Sequence, residues 1–253
     1  MTVTNAPATL EDCSAVLFDY EGTLAILDPP HRKLAAAYSS IQALLPDGSP
    51  HDLHTPEAVA HLHMEIFSAV LAARDTHPDE EPDVLSFYSN AYTSHGVSTS
   101  QELVHRIYLI EQHAWGSGAR EVDGALTTLA LLRERGYAIG LASNASYPEA
   151  VMLQLASLGM LSHLDSISLS GLTRIRKPDP AVFTDLAVEL GSDPSRAVMV
   201  GDRMREDVTG ARNAGLTGIL YCPTVTPGAP EEAVPQISDL RDLLDLLPGA
   251  VPS

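Results

Sequence analysis

Lysine is nearly missing from this chain. Only Lys33 and Lys177 occur, against 13 arginines, so a lysine here asks for a reason. Cysteine is equally scarce. Cys13 and Cys222 form no CxxC pair, so free thiols are expected, with one bridge between the two as the alternative. No apolar run approaches the ~20 residues that a membrane span needs. The opening stretch, MTVTNAPATLEDCS, lacks the charged and apolar regions of a signal peptide. The expected location is the cytoplasm, with no membrane partner. Basic charge is short as well: 15 basic residues face 33 acidic ones, a formal charge of −18. A phosphate polymer would be repelled, and no basic run offers it a groove, so nucleic acid is not an expected partner. Small anionic metabolites stay open, because a local site overrides the global field. There is no sequence repeat or low-complexity segment.

The length, 253 residues, suffices for one large core and a smaller accessory domain. The run AVLFD, from Ala15 to Asp19, reads as a buried strand ending in an acid. A helical stretch follows from about Pro30 to Trp115, entered through the Asp28–Pro30 turn. HRKLAAAYSSIQALL reads as one helix of this stretch. In a second, Val59, Leu62, Ile66 and Val70 recur at +3, +4, +4, one face of an amphipathic helix. Thr55 is its expected N-cap and Pro56 its first residue. In a third, Thr99 and Glu102 fit a capping box, with Leu103, Ile107 and Ile110 as the apolar stripe.

After Gly116–Gly118 the texture changes. GALTTLALLRERG leads into YAIGLAS, PEAVMLQLASLG into LDSISLS, PAVFTDLAVELG into RAVMVGD, and REDVTGARNAG into TGILYCP. Helix–strand alternation of this kind argues for a parallel sheet with crossover helices. The expected fold is α/β: a Rossmann-like parallel sheet flanked by helices, with an inserted helical domain. Residues 1–24 and 118–253 would form the α/β core and residues 25–117 the insertion. The segment TVTPGAPEEAVPQ reads as a surface loop before a last short helix, ISDLRDLLDLL.

Ligands of open parallel sheets bind outside the carboxyl ends of the strands. Those ends deliver Asp19, Glu21, Gly22 and Thr23 from the first strand, and Ser143 and Asn144 from YAIGLAS. Lys177 and Pro178 follow LDSISLS. Asp202 ends RAVMVGD, with Asp207 five residues on. Each residue has a plainer reading. Asp19 can start a turn, Ser143 can cap a helix, and Lys177 can be a solvated loop lysine. Asp202 and Asp207 can serve the N-terminus of the helix that follows.

Four stretches in this order, DYEGT, SN, RKPDP and GDRMRED, resemble the motifs of the haloacid dehalogenase superfamily of phosphatases and related hydrolases. The resemblance is to the subgroup with a helical cap inserted after the first motif. It covers about residues 13–24 and 120–222, and the cap matches only in position and helical character. It implies a Mg²⁺-dependent phosphatase acting on a small phosphorylated metabolite. Asp19 would attack phosphorus and carry an aspartyl phosphate. By the same resemblance Asp19, the Glu21 carbonyl and Asp202 would bind Mg²⁺, supported by Asp207. Ser143 and Lys177 would hold the phosphoryl oxygens, helped by backbone N–H groups around Glu21, Gly22 and Asn144. Glu21 would serve as general acid and base. The cap would select the substrate, and the chain would be a monomer or homodimer.

The chain departs from the pattern at Glu21, where the phosphatases carry Asp. The extra methylene moves the carboxyl by roughly 1.5 Å if extended. A displacement of about 1 Å in a catalytic constellation can cost around a hundredfold. Relatives with other chemistry carry Tyr (dehalogenases), Ala (phosphonate-cleaving enzymes) or Thr (P-type ATPases) there. Glu keeps an ionisable proton carrier, which favours ester hydrolysis. The alternatives are a phosphotransferase or mutase, a hydrolase of C–X or C–P bonds, or an impaired phosphate-binding regulatory protein. Arg174, Arg176, Arg203 and Arg205 are expected to be solvated or paired with acids. Tyr20 is expected to pack or to face the cap.

Nine of the ten histidines fall in the helical stretch. A zinc site is the sharp reading of HDLH and HLH. His61 and His63, two apart on a helix, point to different faces and argue against it.

Overall fold

Ala15, Val16, Leu17 and Phe18 are fully buried. A strand with no polar side is stable only where both faces are covered, which is the situation inside a parallel sheet. The computed structural model describes residues 10–50, 53–223 and 234–249. Its strands are β1 (Ala15–Phe18), β2 (Ala25–Leu27), β3 (Ala119–Glu121), β4 (Ala138–Ser143), β5 (Ser166–Leu169), β6 (Ala197–Gly201), β7 (Thr217–Tyr221) and β8 (Gln236–Ile237). Six of them form one sheet in the order β5-β4-β1-β6-β7-β8, and every neighbouring pair is parallel. β1 lies at the centre, with Phe18 opposite Leu141 of β4 and Val200 of β6. The carboxyl ends of β1, β4 and β6 therefore finish side by side. β2 and β3 pair as a separate two-stranded ribbon.

The helices are α1 (His31–Gln42), α2 (Pro56–Thr76), α3 (Val84–Ser94), α4 (Gln101–Trp115), α5 (Ala125–Glu134), α6 (Pro148–Ser157), α7 (Ser170–Thr173), α8 (Pro180–Glu189), α9 (Gly210–Asn213) and α10 (Leu243–Leu246). The stretch expected as one helix after β6 is a π-helical turn, Met204–Thr209, running into α9. Val182, Phe183 and Leu186 of α8 and Ala211 of α9 bury one face of the sheet against Ala15, Leu17, Ala142 and Met199. α8 starts as its sequence prescribes: Asp179 caps the Ala181 N–H and Pro180 takes the first turn. Cys13 and Cys222 are free thiols. The Pro-rich segment after Pro223 lies largely outside the described residues, and β8 follows it.

The chain divides into two compact units. One comprises Met1–Leu27, Arg120–Asn144 and Leu158–Ser253, the other Asp28–Ala119 and Ala145–Ser157. α6, which its sequence groups with the α/β part, thus packs among the helices; its Gln154 side chain donates to the Trp115 carbonyl at the end of α4 (2.9 Å).

Within the helical unit, α2 follows its sequence closely. Thr55 accepts from the Ala58 N–H, Pro56 opens the helix, and Val59, Leu62, Ile66 and Val70 are buried. α4 differs. Its N-cap is Ser100, whose hydroxyl accepts from the Leu103 N–H at 3.1 Å. Thr99 instead meets the Thr93 hydroxyl at 3.1 Å, so the cap moves on by one residue and Leu103, not Glu102, stands where a capping box needs Glu or Gln. The buried face of α4 is Val104, Ile107, Tyr108 and Glu111, with Leu103 and Ile110 flanking it. Glu111 is the focus of this unit. Its carboxylate accepts from Tyr38 of α1 at 3.1 Å and from Tyr88 of α3. His63 Nδ1 of α2 lies 2.9 Å from it, and His63 Nε2 meets the Tyr92 hydroxyl at 2.8 Å. Four helices are thus tied to one acid. His61, two residues from His63, faces solvent and pairs with Glu65 at 3.3 Å. His51 lies outside the described residues. Among the described residues no helix is long and apolar enough to cross a membrane.

Candidate active site

Asp19 is the first residue past the central strand. Its N–H still pairs with the Val200 carbonyl (2.9 Å), so the sheet fixes its position. The chain then turns sharply. The N–H groups of Leu24 and Ala25 both reach the Tyr20 carbonyl at 2.9 Å. Gly22 makes the turn possible with φ +91°, and a Cβ there would lie 2.5 Å from Asp202 Oδ2. Glycine is needed for both reasons. Its N–H is donated to the Ala25 carbonyl at 2.8 Å. Thr23, fully buried, donates to Asp19 Oδ2 at 3.4 Å. Tyr20 is buried too. Glu21 is exposed on the turn and bridges to Ala25 through its backbone.

β6 ends in Gly201, Asp202 follows it directly, and the π-helical turn brings back Asp207. Gly201 leaves room for it: a Cβ there would stand 2.3 Å from the Asp207 carboxyl. Asp207 Oδ2 accepts from the Arg203 N–H at 2.9 Å. Lys177 approaches from the segment before α8. Its ammonium lies 2.7 Å from Asp19 Oδ1 and 2.5 Å from Asp207 Oδ1, and the residue is only 3% exposed. The Asn144 side chain holds the Lys177 backbone at both ends: Oδ1 accepts from its N–H at 2.7 Å and Nδ2 donates to its carbonyl at 2.8 Å. Ser143, buried, is the last residue of β4. Arg176, beside Lys177, is buried rather than solvated.

One oxygen from each of Asp19, Asp202 and Asp207 lies within 4.8 Å of the others. Three carboxylates against one ammonium leave an excess of negative charge. Burial raises the Asp19 carboxyl to about 7; Lys177 opposes this and Asp207 adds to it. Burial and the Asp207 charge also raise Asp202. Burial alone would lower Lys177, but Asp19 and Asp207 outweigh it and hold the ammonium charged. Asp202 Oδ1 is buried without a hydrogen-bond partner. Hard oxygen donors, a surplus of negative charge and an unsatisfied buried carboxylate oxygen fit a divalent cation such as Mg²⁺.

The structure thus gathers Asp19, Asp202, Asp207 and Lys177, which are up to 188 residues apart in sequence, at one sheet edge. Gly22 adjoins Asp202 and Asn144 adjoins Lys177. Thr23 and Asn144 were expected at the strand ends, but their side-chain contacts were not: Thr23 supports Asp19, and the Asn144 side chain clamps Lys177, 33 residues on.

The haloacid dehalogenase-like hydrolase family model matches residues 13–215. Among curated proteins, the phosphoserine phosphatase of Thermus thermophilus is 34% identical over 116 residues, 46% of each chain. The glyceraldehyde 3-phosphate phosphatase of Methanopyrus kandleri is 28% identical over 207 residues, covering 81% of this chain and 82% of that one. The match thus spans about half of the Thermus protein. Among solved structures, a 2-haloacid dehalogenase from Pseudomonas syringae superposes with TM-score 0.68 at 23% identity, over 92% of this chain and 97% of that one. A HAD phosphatase from Thermococcus onnurineus gives TM-score 0.60 at 23% identity, over 94% and 99%. These structures are similar in fold to the present one. With the sheet order, the strand-end acids and the family match together, the chain belongs to the haloacid dehalogenase-like hydrolases.

Proposed function

We propose that this chain is a Mg²⁺-dependent phosphatase acting on a small phosphorylated metabolite. The observation that carries the reading is Asp19, fixed at the end of the central strand, with the Lys177 ammonium 2.7 Å from its carboxylate and Asp202 and Asp207 close by. Similarity to phosphatases of small phosphate esters supports the substrate class. Asp19 attacks phosphorus and the P–O bond to the leaving group breaks. Glu21 gives its proton to the departing oxygen. Glu21 then takes a proton from a water, which attacks the phosphorus of the aspartyl phosphate, and phosphate leaves as Asp19 is restored. Ser143 and Lys177 hold the phosphoryl oxygens, and Lys177 offsets the charge that develops on them. Asp19, the Glu21 carbonyl and Asp202 would hold Mg²⁺ with support from Asp207, and the ion would neutralise phosphate charge that otherwise repels a carboxylate. Gly22 contributes the space beside Asp202, since its N–H is already donated to Ala25. The exposed turn gives the longer Glu21 side chain freedom to meet a leaving oxygen. A panel of phosphate esters, assayed with Mg²⁺ and with chelator, tests the reading. Metal-dependent phosphate release from at least one ester is expected; none from any ester would refute it.

A further inference from the structure

We infer that Asn144 is a positioning residue for Lys177, acting through the lysine backbone rather than on the substrate; the inference rests on the phosphatase reading. Lys177 lies in irregular chain between α7 and α8, where no strand neighbour pairs its backbone. Buried backbone groups must find partners. Here one carboxamide serves both: Oδ1 accepts from the Lys177 N–H (2.7 Å) and Nδ2 donates to the Lys177 carbonyl (2.8 Å). This is the two-bond exchange that one residue gives another across a strand pair. Only Asn and Gln carry a donor and an acceptor side by side in this form, and the short Asn stem sits directly after the last residue of β4. Lysine is a flexible four-carbon arm with large rotamer entropy. Fixed at its backbone by Asn144 and at its ammonium by Asp19 and Asp207, it is held at both ends.

The two-lysine composition makes this measurable without turnover. Lys33 is exposed and Lys177 is buried, so amine methylation read by peptide mass spectrometry reports Lys177 with Lys33 as internal standard. In Asn144→Ala the Lys177-to-Lys33 labelling ratio is expected to rise several-fold, with kcat/KM on a phosphate ester down by about a hundredfold. Asn144→Asp keeps the size and the acceptor for the Lys177 N–H but loses the donor to its carbonyl, so intermediate values are expected. In a Lys177→Ala background, Asn144→Ala should cost nothing further, because a residue that acts only through another has nothing left to position. Losses that multiply would show that Asn144 acts on the substrate itself and would overturn the inference, as would an unchanged labelling ratio in both Asn144 variants. Should Asn144→Ala fail to fold, the labelling ratio of Asn144→Asp decides. A wild-type protein without metal-dependent phosphate release would sink the phosphatase reading alone, since the labelling ratio still decides the role of Asn144.

Discussion

The α/β unit and the helical unit each bury an acid beside a cationic or protonatable group, and the two clusters are opposites. Around Lys177, carboxylates outnumber the cation: Asp19 and Asp207 share one ammonium, and Asp202 keeps an unbonded buried oxygen. Around Glu111, donors outnumber the acid: Tyr38, Tyr88 and His63 converge on one carboxylate. The pKa directions follow. Burial drives Asp19 up to about 7 despite Lys177. Burial also acts to raise Glu111, but His63 and the two phenols outweigh it and leave the carboxyl below its ordinary value. A buried acid surrounded by donors ties its neighbours together, whereas crowded carboxylates with a surplus of negative charge suit a cationic ligand. The first cluster is the one proposed to react, and the second ties four helices to one acid.

Removing the acid from each should therefore give different failures. Asp19→Asn is expected to lower phosphate release by about 10⁴-fold or more, while its thermal midpoint in chelator stays at or above that of the wild type, because one of the crowded charges is gone. Glu21→Ala sharpens the assignment of proton transfer. A loss of about 10²- to 10⁴-fold in kcat/KM, which reports the step that expels the leaving group and not the later hydrolysis, is expected for an alkyl phosphate, and a much smaller one for p-nitrophenyl phosphate, whose leaving oxygen needs no proton. Equal losses on both esters would remove Glu21 from that role. Glu111→Ala should cost about 3–5 kcal/mol in denaturant unfolding, since it strands His63 and two phenols in the interior. Hydrogen exchange should then quicken in α1–α4 and leave the sheet protected. Quickening in the sheet alone would break the comparison.

Acid and base separate the clusters further, with a smaller effect. The folded value of Glu111 lies below its ordinary 4.5. Its contribution is complete above 4.5 and is lost as pH falls through the lower folded value. Asp19 runs the other way, from 3.8 up to about 7. Its contribution is complete below 3.8 and is lost as pH rises through about 7. In chelator-treated protein, the stability difference between wild type and Asp19→Asn should therefore move against the wild type across that window. The difference between wild type and Glu111→Gln should change only on the acid side. Slopes of the same sign would show that the two acids sit in like surroundings.

What could be read from the sequence was what local physics decides. β1 announced itself because an apolar run ending in Asp19 has few other uses. The start of α2 was legible because Thr55 and Pro56 act within one turn. The start of α4 was not. Thr99 and Ser100 are adjacent hydroxyls, and the pattern did not tell which caps; in the fold Thr99 meets Thr93 at the end of α3 and Ser100 caps. The π-helical turn was hidden for a similar reason, since Asp207 reaches back to the Arg203 N–H. The Glu111 cluster left no trace: its partners come from separate helices, Tyr38 being 73 residues away, and neither spacing nor motif links them. The acids of the candidate site were legible only as an ordered set of strand ends. The Asn144 clamp, a contact between two loops, needed the fold itself.

The most direct measurement is chemical trapping at residue 19. Wild-type protein is mixed with a turned-over phosphate ester and Mg²⁺, quenched in acid during the first turnover, reduced with borohydride and mapped by mass spectrometry. An aspartyl phosphate on Asp19 is reduced to homoserine, so the account predicts homoserine at position 19 only when ester and Mg²⁺ are both present, and none in Asp19→Asn. Sustained phosphate release without modification at residue 19, or undiminished turnover in Asp19→Asn, would contradict it.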